Sequence, residues 1–218
     1  MAVATLTLSS KNYSSWSMRG WLMCKLAGID FDEVTVEPDD ADARAEILLL
    51  SPSVLVPCLT YDGVRVWDSL AIGEFLHEIA PDKGLLPADR SARAHARAVN
   101  GEMHSGFVSL RQALPMNIKG HLPGFKIWSK ADADIARVKT IWRECLGRYG
   151  GPYLFGEGVT LADAMYAPVV TRFRTYDVKL DSPLAEYADR IWSHPAVAEW
   201  REAALLEKEE IEELEVEF

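Results

Sequence analysis

The chain has 218 residues, of which 49% are hydrophobic, 26% charged and 10% aromatic, which excludes a disordered or fibrous protein and predicts one or two globular domains. Its net charge of −10 argues against nucleic acid or an acidic membrane surface as a partner, because both require a basic face. No run of about 18 apolar residues predicts a membrane span, and the opening MAVATLTLSSKNYSS lacks the basic start and apolar core of a secretion signal, so a cytoplasmic location is expected.

Taken in chain order, Ala4 to Leu8 reads as a β-rich run, and Ser15 to Ala27 as a helix stopped by Gly28. Phe31 to Val36 alternates apolar and acidic residues and predicts a second strand. A helix from Asp42, with Ile47, Leu48 and Leu50 apolar, must end before Pro52. Val56 to Tyr61 and Val64 to Trp67 form a predicted hairpin around Asp62-Gly63, a dipeptide suited to positive φ. Ser69 then caps a helix with Ile72, Phe75, Leu76 and Ile79 on one face. The order βαβαββα predicts a mixed four-stranded sheet and resembles a thioredoxin-like domain.

Residues 1–80 are therefore expected to form an α/β domain, 81–90 a linker rich in turn formers, and 91–218 an all-α helical-bundle domain. Val99, Met103, Phe107, Leu110 and Leu114 share one predicted helical face, and Ile135, Val138, Trp142 and Cys145 another. Thr160-Leu161-Ala162-Asp163 has the form of a capping box before an apolar helix. Further helices are predicted at Pro183–Trp192 and Pro195–Leu206. The segment from Glu207 to Glu217 carries seven Glu against Lys208, and so reads as a solvated helix end or loose tail.

Cys24, Cys58 and Cys145 are odd in number and widely spaced, which indicates reduced core thiols rather than disulfides or a zinc site. The five histidines show no metal-ligand spacing, no metal is expected, and neither a phosphate loop nor a G-x-S-x-G elbow is present.

Four segments carry the remaining signal: YSSWSMR at 13–19, VPCL at 56–59, WDSLAI at 67–72 and GVTLADA at 158–164. In this order and spacing they resemble the cytosolic glutathione transferase superfamily over almost the whole chain. The resemblance implies a cis proline after Val56, with the Val56 and Pro57 backbone pairing with glutathione. It implies that Asp68 and Ser69, at a helix N-terminus, receive the γ-glutamyl group. YSSWSMR is similar to the zeta-class signature SSCSWR: Ser14, Ser15, Ser17 and Arg19 match, whereas Trp16 replaces cysteine and Met18 replaces tryptophan. That carry-over makes Ser14 the first candidate for the hydroxyl that activates the glutathione sulfur and Ser15 the second, with Tyr13 as the tyrosine-type alternative. As a helix cap, the serines also have a purely structural explanation.

A second substrate is expected between the domains, beside Met103, His104, Phe107 and Arg111, which fall near one predicted helical face. For Met103 and Phe107 a core position is favoured, which leaves His104 and Arg111 as the better candidates. Lys11 or Arg44 is a candidate for the glycine carboxylate of glutathione. The implied activity is conjugation of glutathione, as co-substrate, to a small electrophile, with a homodimer as the expected assembly. The alternatives are a maleylacetoacetate-type cis/trans isomerase, with Arg19 and Arg111 attracting a dicarboxylate, and a noncatalytic glutathione-binding regulator.

Overall fold

Alternate residues Ala4, Leu6 and Leu8 of the first strand, β1 (Ala4–Leu8), are buried in the core. They are seen in a computed structural model that describes residues 4–36, 56–127 and 129–208. The strand pairs in parallel with β2 (Asp32–Thr35) and antiparallel with β3 (Cys58–Tyr61), which continues through a hairpin into β4 (Val64–Trp67). The sheet order is β2-β1-β3-β4. The turn residues Asp62 and Gly63 both have positive φ, 48° and 78°, as the dipeptide predicts. The helix expected from Asp42, with Arg44 in it, lies outside the described residues, as do positions beyond Lys208 in the acidic end.

Helix α1 (Ser15–Ala27) begins at the Ser14 cap and ends where Gly28 takes the left-handed conformation at φ 68°. Nearly all of its residues are buried, because it is enclosed between the sheet and the second half of the chain. Helix α2 (Ser69–Ile79) differs from expectation at its start: the N-cap is Asp68, not Ser69. Asp68 Oδ1 accepts from the amides of Leu70 at 2.8 Å and Ala71 at 3.3 Å. A carboxylate reaches two amides from the cap position, so the serine is released into the first turn.

The second half is a helical bundle: α3 (Arg90–Ser105), α4 (Val108–Ala113), α5 (Ser129–Tyr149), α6 (Leu161–Thr175), α7 (Ser182–Ser193) and α8 (Pro195–Leu206). The single face drawn through Met103 and Phe107 is in fact split between two helices. Helix α3 stops at Ser105, and Phe107 adopts φ 57° as the cap of α4. Gly106 permits the break, since a Cβ there would lie 2.7 Å from the Glu102 carbonyl oxygen. Apolar spacing runs on across the turn, so periodicity alone conceals it. The predicted face of α5 is found, with Ile135, Val138, Trp142 and Cys145 buried. Cys24, Cys58 and Cys145 are all free and buried; burial raises the Cys24 thiol, and raises that of Cys145 to about 12.

Helix α6 is the bundle's centre, buried continuously from Leu161 to Phe173 and packed against α1, α3 and α7. Its capping box forms: Asp163 Oδ2 accepts from the Thr160 amide at 2.8 Å and the Thr160 hydroxyl at 3.0 Å. Asp163 Oδ1 also accepts from the Leu154 amide and the Tyr187 hydroxyl. Burial pushes the Asp163 pKa up, and these four donors oppose the rise.

Two measurements test this packing. Asp163→Ala leaves four donors without their acceptor and should lower unfolding stability by about 3 kcal/mol, read as a shifted denaturant midpoint with an unchanged m-value. At the surface, Glu74 pairs with Arg97 at 2.7 Å, a hydrogen bond that holds the Glu74 pKa below its usual value. A depressed carboxylate stabilises the fold above its unfolded pKa and loses that contribution as pH falls through its folded pKa. Glu74→Gln should therefore cost about 0.2–1 kcal/mol at neutral pH, and the difference from wild type should vanish in acid.

Candidate functional site

The loop after β1 and the start of α1 place three serines together. Ser14 Oγ accepts from the Ser17 amide at 3.2 Å and lies 2.9 Å from Ser17 Oγ, to which it donates. Ser17 is fully buried and its hydroxyl also accepts from the Ser9 amide at 3.0 Å. Ser15 is buried and its Oγ accepts from Arg172 Nη2 at 3.3 Å. Of these, only Ser14 retains partial exposure. Tyr13 is buried in the adjoining turn, its amide held by Ser10 Oγ.

Across from this helix end, the Val56–Pro57 peptide bond is cis. Pro57 is buried against α1, where a Cβ on Gly20 would meet its ring at 2.6 Å; only glycine allows that approach. At the start of α2, Ser69 is 1% exposed, and its Oγ has no hydrogen-bond partner among the described residues. Its neighbour Asp68 sits at φ 76°, in the left-handed region that favours glycine. Asp68 Oδ2 meets His104 Nε2 at 2.5 Å, a link from the sheet domain to α3 that also positions the imidazole 5.2 Å from the Trp16 ring.

Positive charge gathers beneath α1. Arg19 is enclosed completely, donating to the carbonyls of Met165 at 2.8 Å and Ser15 at 3.4 Å, while its Nη2 has no partner among the described residues. Arg172, also buried, donates to the carbonyls of Leu114 and Pro168 besides Ser15. Arg111 is half-buried. Burial and mutual repulsion push the Arg19 pKa well down, and burial with Arg111 nearby lowers that of Arg172 to about 10. The guanidinium carbons of Arg19 and Arg111 lie 4.6 and 5.2 Å from the Trp16 ring centroid, so the indole is cation-stacked.

The sequence candidates thus divide by placement. Ser14, Ser15 and Trp16 meet at the α1 start, Asp68, Ser69 and His104 at the α2 start, and Arg111 joins them through Trp16. Met103 and Phe107 are buried in the core cluster. Arg19 is buried and donates to two carbonyls, whereas Arg111 is half-buried. Lys11 is engaged with Glu33 at 2.5 Å. Arg172 was missed; a charged residue within the largely buried and mostly apolar α6, between Thr171 and Phe173, was its available signal. A groove of about 530 Å³ lined by Lys119, Phe173, Arg174 and Trp192 shares no residue with this constellation.

A thioredoxin-like sheet followed by a helical bundle, with a cis-proline loop packed against the first helix, defines a two-domain protein of the thioredoxin-fold class. The family models for the N-terminal and C-terminal domains of glutathione S-transferase match residues 13–79 and 93–203, and the chain belongs to that family. Among curated relatives, a probable maleylacetoacetate isomerase of Caenorhabditis elegans is 27% identical over 191 residues, covering 84% of this chain and 89% of that protein. The maleylacetoacetate isomerase of Rattus norvegicus is 30% identical over 170 residues, 77% of each chain. Among solved structures, a glutathione transferase homologue from Burkholderia with bound glutathione superposes with TM-score 0.72 at 24% identity, covering 93% of this chain and 98% of that one.

Proposed function

We propose that the protein is a glutathione transferase of the serine type, joining the glutathione sulfur to a small electrophile. The observation that carries this reading is the cationic α1 start: a partly exposed Ser14 hydroxyl at a helix N-terminus, backed by Arg172 and Arg19. The remaining donors fit glutathione as well, since the buried Ser69 Oγ is left without a partner at the N-terminus of α2. When bound, glutathione supplies a sulfur nucleophile.

The chain's own residues do the rest. Ser14 turns its hydroxyl proton from Ser17 Oγ to the sulfur and stabilises negative charge there, while the helix N-terminus and two buried guanidiniums, which do not lose their protons at neutral pH, supply fixed positive potential. Ser15, polarised by Arg172, is the second donor. Ser69 and Asp68 hold the γ-glutamyl end, Val56 and Pro57 the cysteinyl backbone, and Trp16, His104 and Arg111 border the electrophile. The exposed Val64 and Trp67 on β4 and Val108 on α4 support a homodimer.

Maleylacetoacetate-type isomerisation is the second reading, favoured by the names of the relatives and by Arg111 beside Trp16. The two differ in stoichiometry, because a transferase consumes glutathione and an isomerase does not.

The roles separate experimentally. Ser14→Ala should leave glutathione affinity within a few-fold while turnover falls about 10²-fold, the scale of losing one donor to a developing anion. Ser69→Ala should instead weaken binding itself, by about 5- to 30-fold on the scale of one buried hydrogen bond. Full turnover in Ser14→Ala moves the role to Ser15 or Tyr13; unaltered affinity in Ser69→Ala removes Ser69 from the site.

A further inference from the structure

The segment after α8 does more than trail away in solvent. Glu207 returns to the loop after β1, and its carboxylate accepts three hydrogen bonds there. The donors are the Ser10 hydroxyl at 2.7 Å, the Lys11 amide at 2.5 Å and the Asn12 amide at 3.0 Å. Two successive backbone N–H groups and a hydroxyl converging on one carboxylate make a built anion nest. The backbone carbonyl of Glu207 is held in turn by Lys119 Nζ at 2.5 Å. On the other side of the loop, Asn12 bonds Asn117 Oδ1 at 3.1 Å and accepts from the Lys119 amide at 3.0 Å.

The consequence runs through one proton. Ser10 must give its O–H to Glu207, which leaves its lone pairs to accept the amides of Asn12 at 3.1 Å and Tyr13 at 3.2 Å. The Ser10 carbonyl then accepts the Ser14 amide at 3.0 Å. Glu207 therefore fixes the turn whose next residue is the α1 cap, and a charged acceptor makes each of these bonds stronger than a neutral one.

We propose that Glu207 is a positioning residue for thiol activation, setting the orientation of Ser14 through Ser10 from nearly 200 positions away in sequence. The proposal rests on the reading of Ser14 given above. Glutamine at 207 keeps the side-chain size but turns an NH₂ toward donors that need an acceptor. Ser10→Ala removes the bridging hydroxyl alone and leaves the carboxylate in place.

The test compares wild type, Glu207→Gln and Ser10→Ala in two measurements: amide hydrogen exchange over residues 10–14, and the thiolate absorbance of bound glutathione against pH. Positioning predicts at least ten-fold faster exchange at Lys11 or Asn12 in Glu207→Gln and at Asn12 or Tyr13 in Ser10→Ala. It further predicts a thiolate fraction at neutral pH that falls about ten-fold, equivalent to one pKa unit, with glutathione affinity within a few-fold. Unchanged exchange overturns the clamp, and faster exchange with an unchanged thiolate fraction reduces it to a structural tie and overturns the coupling. A wild-type protein that fails to lower the thiol pKa overturns instead the functional reading, and the coupling falls with it, whatever the variants' exchange.

Discussion

The two halves of the chain are joined by guanidiniums that cannot discard their charge. A buried lysine or histidine can escape the cost of desolvation by losing its proton, whereas arginine keeps its own and must find acceptors. Arg19 reaches from α1 to the Met165 carbonyl on α6, and Arg172 reaches back from α6 to Ser15. Each therefore needs the other domain to complete its hydrogen bonding, which fixes the seam between sheet and bundle where the first helix begins. Displacing either helix would strand a buried charge, at a cost of several kcal/mol.

The same constraint shapes the chemistry. Carbonyl and hydroxyl oxygens accept from all three nitrogens of Arg172 and from Nε and Nη1 of Arg19 without neutralising their charge, so the seam keeps a net positive field. Nothing in the capping geometry of Ser14 competes with an anion beside it, because the cap spends an acceptor lone pair and the hydroxyl proton can turn. Trp16 completes the wall, stacked by Arg19 and Arg111 and approached by His104. His104 is itself held by Asp68, so the starts of α1, α2 and the end of α3 meet around one indole.

Much of the fold was legible wherever a residue type forces a local conformation. Gly28, the Asp62-Gly63 turn and the Thr160–Asp163 box each carry their instruction in a few adjacent residues, and the structure follows them. The break at Gly106-Phe107 was hidden because the apolar spacing of Met103, Phe107 and Leu110 is continuous across it, and a left-handed phenylalanine has no signature of its own. Ser69 was taken for the cap since serine favours that position, but the neighbouring carboxylate reaches two amides. Arg172 and Glu207 act on residues over 150 positions away, and no local pattern announces a partner at that distance. In the case of Glu207, a block of like charges, which ordinarily marks a solvated surface, masked a carboxylate that returns to the loop after β1.

The positive seam beneath α1 is probed most directly by glutathione bound to the unaltered protein, its thiolate absorbance followed from acid to alkaline pH. Stabilisation by Ser14 and the guanidinium field predicts a bound thiol that ionises at least ten-fold more readily than free glutathione at the same pH. A bound thiol that titrates like the free one would contradict it, and would mean that the arginines hold the domains together without acting on the sulfur.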